Sequence, residues 1–232
     1  MSDVVDDAEG AISGKLPLGD IDAHDLLDDL PMAPEHQRLA AIAFESDRRS
    51  VAHRPNALSP AECDAIIYWA SDKVGGKKRD SIDNIRAYEA DMPLAALRAI
   101  VDVDALIAPT RQLDVYTDAG SACDADFPLA VTAFVRKYDA RTERVDLPFH
   151  IDNCDASLTV QLSDDFAYSG GEVLLLHNGT LDVAPTSRGT VTYHSATVAH
   201  GIRRLTTGAR WSLILFGHCS QAKVEERQIT LH

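Results

Sequence analysis

Residues 147–162 read Leu-Pro-Phe-His-Ile-Asp-Asn-Cys-Asp-Ala-Ser-Leu-Thr-Val-Gln-Leu. From Ser157 onward, apolar and polar side chains alternate. Leu158, Val160 and Leu162 fall on one side and Ser157, Thr159 and Gln161 on the other, the period of a strand rather than a helix. The apolar side can pack beneath a layer of helices. The polar side faces either solvent or the mouth of a barrel, and a barrel interior lined with polar groups is suited to hold something polar. Just ahead of this strand stands His150-Ile151-Asp152. A two-residue spacing on or beside a strand puts both side chains on one face, as a metal site requires. Such a triplet is common by chance in an aspartate-rich chain with nine histidines, so its meaning depends on its neighbours.

Those neighbours continue the pattern. VTAFVRKY (131–138), GGEVLLLH (170–177), TLDVA (180–184), GTVTYHS (189–195) and RWSLILFG (210–217) are short strand-type runs. Gly170-Gly171, Asn178-Gly179 and Thr207-Gly208 punctuate them as turn signals. Many short strands at even spacing predict a sandwich or barrel. Before residue 110 the texture is helical. In LSPAECDAIIYWASDK (58–73), Ser59 suits an N-cap, Pro60 the first helical position and Glu62 the partner position of a capping box. Gly75-Gly76 is expected to end that helix. A second helix is expected over MPLAALRAIVDVDALI (92–107), with Leu94, Ile100, Val103 and Leu106 on its apolar face.

Composition narrows the possibilities. The chain has 232 residues, 45% of them apolar, with 22 Lys+Arg against 36 Asp+Glu for a net charge of −14. That is room for one sizeable core, and it excludes collagen-like, disulfide-framework and fully disordered classes. The acidic balance argues against nucleic acid as a partner, which needs clustered Lys and Arg. Residues 1–30 hold nine acids and a single base, Lys15. The expected division is therefore an acidic, partly disordered arm over 1–50 and one domain over 51–232, with helices in 59–107 and a β core in 110–220. The acidic N-terminus does not resemble a targeting signal, and no apolar run approaches the ~18 residues a membrane span needs. Four scattered cysteines suggest free thiols in a reducing, cytoplasmic setting. Oligomeric state is not legible.

His200 lies fifty residues beyond His150, after three further strand candidates, so a returning strand can bring it beside the His150/Asp152 pair. Two neutral imidazoles and a carboxylate form a facial triad that leaves three positions of an octahedral metal open. Ten residues later, Arg210-Trp211-Ser212 opens an apolar strand. A bound carboxylate is a good reason to hold a guanidinium against a core. His194 followed by Arg204 offers the same spacing. The reading prefers His200, because Arg204 falls in a turn, and gives His194 a supporting or structural place.

In this order, VRKY ending at Tyr138, FHID with His150 and Asp152, SLTVQLSDD, YSGGEVLLL, RGTVTYHS, His200 and TTGARWSLILF resemble the 2-oxoglutarate/Fe(II)-dependent dioxygenases, nearest the prolyl 4-hydroxylase-like branch. The resemblance spans about ninety residues, 130–218, and the 58–70 stretch looks like the family's lead-in helix. It implies a mainly β fold, a double-stranded β-helix (jelly roll) with N-terminal covering helices. It implies that His150, Asp152 and His200 bind Fe(II), and that Arg210 pairs with the far carboxylate of 2-oxoglutarate with Ser212 nearby. Tyr138 would donate a hydrogen bond to that cosubstrate, Gln161 would assist, and Val173 would pack on its methylenes. Asp152 points to hydroxylation rather than halogenation, since related halogenases lack that carboxylate. Arg136 shares the inward face with Tyr138; it can bind an anionic substrate or pair with a nearby acid. Cys154 is a small filler, and 113–128 could lie over the mouth as a mobile cover. The expected partners are O2 and a small molecule, an amino acid or similar anionic metabolite. A prolyl or other side chain in a protein is the alternative, and a cupin-like metal-binding protein without oxygen chemistry is a second alternative. Neither nucleic acid nor a membrane is expected as a partner.

Overall fold

The structure is a computed structural model that describes residues 50–113, 128, 130–177, 180–195 and 198–219. The acidic arm through residue 49, nearly all of the expected cover at 113–128, and the Asn178-Gly179 turn lie outside the described residues.

Two antiparallel sheets face each other. The large sheet runs in the order β1 (Val51–Arg54), β10 (Val191–Ser195), β6 (Ala156–Gln161), β12 (Leu205–His218), β4 (Ala130–Asp139), β3 (Arg86–Asp91) and β2 (Gly75–Arg79), with β7 (Tyr168–Gly170) pairing on β12. The small sheet runs β5 (Leu147–His150), β11 (Ala199–Ile202), β8 (Val173–His177) and β9 (Thr180–Val183). This is the jelly-roll core expected from the strand pattern.

The alternation in 157–162 does what its period demands. Leu158, Val160 and Leu162 point outward from the large sheet into the main apolar core, joined by Val135, Leu213 and Leu215. Over them lie α1 (Pro60–Ala70), through Cys63, Ile66 and Ala70, and two short helices, α2 (Leu94–Arg98) and α3 (Val103–Ile107). The Tyr193 hydroxyl ties this layer down by donating to the Leu106 carbonyl at 3.0 Å. Each fully buried Leu or Val contributes about 1.5–3 kcal/mol. The polar residues Ser157 and Gln161 are also buried, on the opposite face that looks toward the small sheet.

Several local expectations are corrected. The capping box at Ser59 and Glu62 is present, but α1 ends at Ala70. Gly75-Gly76 begins β2 rather than closing the helix. The single helix over 92–107 is two helices, because the Asp102 side chain accepts from the Ala105 amide and starts a new one. The region before 110 is not purely helical, since β1, β2 and β3 extend the large sheet there. Thr207-Gly208 lies inside β12, not in a turn. Gly208 has φ +75°, and a Cβ there would sit 2.0 Å from the Ala167 carbonyl oxygen where β7 packs, so the irregularity needs glycine. Cys63 and Cys154 are not in disulfides, but Cys219 is disulfide-bonded. The thiol pattern therefore no longer supports a reducing compartment.

Candidate metal centre and anion pocket

The site is assembled by strand pairing. His150 ends β5, and His200 on β11 is its direct antiparallel partner. Their ring centroids are 4.3 Å apart, with the planes inclined at 52°. Asp152 follows two residues after β5 and meets both imidazoles. His150 Nε2 lies 3.4 Å from Oδ1, and His200 Nε2 lies 3.6 Å from Oδ2. One ligand atom from each of the three residues lies within 4.8 Å of the others. The expected triplet is thus brought together.

The donor chemistry fits a cation. His150 Nδ1 is 2.9 Å from the Pro148 carbonyl and His200 Nδ1 is 3.2 Å from the Val198 carbonyl. A carbonyl only accepts, so each Nδ1 carries the proton and each Nε2 offers a lone pair. Burial pushes the His200 imidazolium down to about 3, against attraction from Asp152, so the ring is neutral near pH 7. Burial opposes ionisation of Asp152, but attraction to the His200, His150 and His194 rings, which acts when a ring is protonated, outweighs it and keeps the carboxyl well below the usual carboxylate range. Nitrogen lone pairs gathered around a carboxylate repel one another unless a cation lies among them. An Fe(II) ion satisfies that arrangement, with the carbonyls behind the imidazoles fixing their orientation.

A third imidazole stands beside the cluster. His194, on β10 of the large sheet and 2% exposed, has its Nε2 3.9 Å from Asp152 Oδ2 and its ring centroid 4.5 Å from that of His200. The sequence spacing alone gave no sign of this proximity.

A cavity leads from His194 to Arg210 between the sheets, lined also by Gln161, Val173, Thr190 and Thr192. Arg210 is 3% exposed. Its neighbours Arg203 and Arg204 reach Glu172 at 3.6 Å and Asp146 at 3.5 Å. Among the described residues no carboxylate pairs with Arg210, which fits a guanidinium waiting for a ligand's anion. Tyr168, for which the sequence suggests no role, stands beside it. Burial raises the Tyr168 phenol, opposed by the Arg210 charge, and its hydroxyl accepts from Gln161 Nε2 at 2.8 Å.

The remaining candidates divide. Gln161 and Val173 line the cavity. Tyr138 is the register partner of Arg210 and is buried with Tyr168 and Leu205. Ser212 pairs in register with Gln161 and Arg136, and its buried hydroxyl has no hydrogen-bond partner among the described residues. Arg136 takes the second of its two expected courses. It is bound to Glu89 at 2.6 Å and to Asp80 at 3.1 Å, so its charge is already matched. Cys154 packs between Phe134 and Phe216, a filler as expected.

Fold and site together define an antiparallel jelly roll that carries a buried His-Asp-His cluster and a buried arginine between its sheets. The chain is similar to these solved structures: a prolyl hydroxylase from Trichoplax adhaerens in complex with a hypoxia inducible factor peptide fragment (13% identity, TM-score 0.56, covering 84% of this chain and 94% of that one); a prolyl-4-hydroxylase from Pseudomonas putida (12% identity, TM-score 0.51, 78% and 98%); and a non-heme alpha ketoglutarate dependent epimerase from nogalamycin biosynthesis (13% identity, TM-score 0.52, 79% and 83%). These likenesses establish the shared fold. No family model matches the chain, and no curated protein does.

Proposed function

We propose that this chain is an Fe(II)- and 2-oxoglutarate-dependent oxygenase that hydroxylates its substrate. The observation that carries the reading is the His150/Asp152/His200 cluster beside His194, from which a cavity leads to a buried Arg210 that pairs with no carboxylate among the described residues.

His150, Asp152 and His200 would hold the iron, and Arg210 would take the distal carboxylate of 2-oxoglutarate. When bound, iron and 2-oxoglutarate supply the oxidising chemistry: O2 is consumed, 2-oxoglutarate becomes succinate and CO2, and one oxygen atom enters a substrate C–H bond. The chain's own work is orientation and shielding. The Pro148 and Val198 carbonyls fix the two imidazoles. Gln161 steadies the Tyr168 hydroxyl near Arg210, Ser212 and Thr190 offer unengaged hydroxyls, and Val173 supplies an apolar wall. Tyr138, opposite Arg210 in register, would support the same end.

For the substrate, a small molecule such as an amino acid or similar metabolite is the first reading, without Arg136 as its anion receptor. A prolyl side chain in a peptide is the second. It is favoured by the two prolyl hydroxylases among the structures of like fold, one of them bound to a peptide fragment. A cytoplasmic location belongs to the same reading but has no support from the cysteines; among the described residues no helix is long and apolar enough to cross a membrane.

Succinate release from purified protein, with Fe(II), O2 and 2-oxoglutarate omitted in turn, tests the activity. Dependence on all three is expected, and metal binding without succinate release would favour the cupin-like alternative. Assaying free amino acids beside proline-containing peptides separates the substrate readings.

A further inference from the structure

The Tyr168 hydroxyl is held by two groups that can only donate to it. Gln161 Nε2 lies 2.8 Å from that hydroxyl and 3.1 Å from the Ser163 carbonyl. A carbonyl only accepts, so the Gln161 atom is the amide nitrogen and the Tyr168 oxygen is its second acceptor. The Arg210 guanidinium interacts with the same hydroxyl by charge and by hydrogen bond, and a guanidinium has no acceptor. The phenolic proton must therefore find its acceptor elsewhere, and among the described residues Tyr168 donates to none. Tyr168 is 9% exposed, so leaving that proton without an acceptor is costly. Gln161 and Arg210 both line the cavity, so an anion that reaches the guanidinium there also reaches the hydroxyl.

Backbone geometry fixes this placement. Tyr168 on β7 is the register partner of Gly208 on β12, two residues before Arg210. Gly171, at φ +72°, follows β7. A Cβ on it would meet Arg210 Cδ at 3.5 Å and Tyr168 Cδ2 at 3.8 Å, so the phenol ring and the arginine stem close around one glycine.

We propose that Tyr168 donates a hydrogen bond to the distal carboxylate of the 2-oxo diacid that Arg210 holds, and that Gln161 is the positioning residue that turns the phenolic proton toward it. The proposal rests on the cosubstrate reading of Arg210 and deepens it. A carboxylate accepts from the phenol and the guanidinium together; a 2-oxoacid without a distal carboxylate meets neither.

Calorimetric titration of the full chain loaded with Mn(II) tests it, comparing 2-oxoglutarate with 2-oxobutyrate, which has the same 2-oxoacid head and no distal carboxylate. Tyr168→Phe removes the hydroxyl and keeps the ring. Its affinity for 2-oxoglutarate is expected to fall about tenfold or more, the effect of one hydrogen bond to a charged group, while its affinities for Mn(II) and 2-oxobutyrate stay the same. Gln161→Met is expected to weaken 2-oxoglutarate binding on its own and to add no loss to Tyr168→Phe. A further loss in the double variant would overturn the role of Gln161. Unchanged 2-oxoglutarate affinity in Tyr168→Phe, or an equal loss for both acids, would overturn the proposal and leave the cosubstrate reading intact. An unaltered protein that binds 2-oxoglutarate no more tightly than 2-oxobutyrate would overturn both. Should Tyr168→Phe not fold, as read by circular dichroism, the same titrations of Gln161→Met decide: a loss confined to 2-oxoglutarate supports the proposal, and no loss or an equal loss overturns it.

Discussion

His150 and His200, fifty residues apart in sequence, are direct register partners on adjacent antiparallel strands, with ring centroids 4.3 Å apart. Their proximity is fixed by main-chain hydrogen bonding rather than by a loop. Removing one imidazole should therefore leave the backbone in place. His200→Ala is expected to keep the far-ultraviolet circular dichroism of the unaltered protein while weakening metal affinity by about 10–100-fold or more. Equilibrium dialysis against Mn(II) measures it, and an unchanged affinity would remove His200 from the ligand set.

Arg210 has no protein carboxylate to lose among the described residues, so shortening it should act on the ligand rather than the fold. Arg210→Met is expected to cost about 2–5 kcal/mol of 2-oxoglutarate affinity, roughly 30-fold or more. The apparent KM for 2-oxoglutarate should rise while metal affinity stays the same. An unaltered KM would place the anion elsewhere.

The outward face of β6 carries the helical layer. Leu158 is 2% exposed and lies in the main core with Leu97, Ile66 and Leu215. Leu158→Ala should cost about 2–5 kcal/mol in urea unfolding. Thr159→Ala, on the opposite face of the same strand, should cost well under that.

The β2–β3 hairpin is held by charge. Arg144 is fully buried and binds Asp83 through two nitrogens, at 2.6 and 2.9 Å, as well as the Arg86, Ile85 and Asp146 carbonyls. Arg144→Met strands the buried Asp83 carboxylate and should destabilise the fold by about 3–5 kcal/mol. The paired change Arg144→Met with Asp83→Leu should recover part of that loss.

Acid should weaken the fold through Asp139. Hydrogen bonds from Arg141 and Lys137 hold its carboxyl well below the usual carboxylate range. A carboxyl whose pKa is lower folded than unfolded stabilises above its unfolded value and loses that contribution as pH falls. The loss should begin near about pH 4 and grow below it. Thermal melts of Asp139→Asn should show a shallower acid limb than the unaltered protein; an identical limb would contradict the assignment.

What could be read from the sequence follows from how local each signal is. The alternation in 157–162 marked which face joins the apolar core, and the Ser59/Glu62 capping box marked the start of a helix, because both depend on near neighbours. GGKKR and RAYEAD carry no apolar alternation that marks β2 and β3 as strands; β3 pairs with β4, and distant Arg136 and Arg144 add ion pairs to the hairpin. The break at Asp102 was hidden by an apolar pattern that continues through it. His194 was set aside in favour of His200 because linear spacing does not reveal that β10 lies across the sandwich from β5 and β11. Arg136 faces inward as its period requires, but the acids that neutralise it, Glu89 on β3 and Asp80 just after β2, lie in a hairpin the pattern did not reveal.

The central claim is that one cavity joins a metal held by His150, Asp152 and His200 to a 2-oxoglutarate carboxylate held by Arg210. Anaerobic titration of the Fe(II)-loaded protein with 2-oxoglutarate tests it directly, through the visible metal-to-ligand charge-transfer band that chelation produces. The account predicts a saturable band that disappears in His200→Ala and needs far more 2-oxoglutarate in Arg210→Met. Absence of the band in the unaltered protein, or a band indifferent to both substitutions, would contradict it.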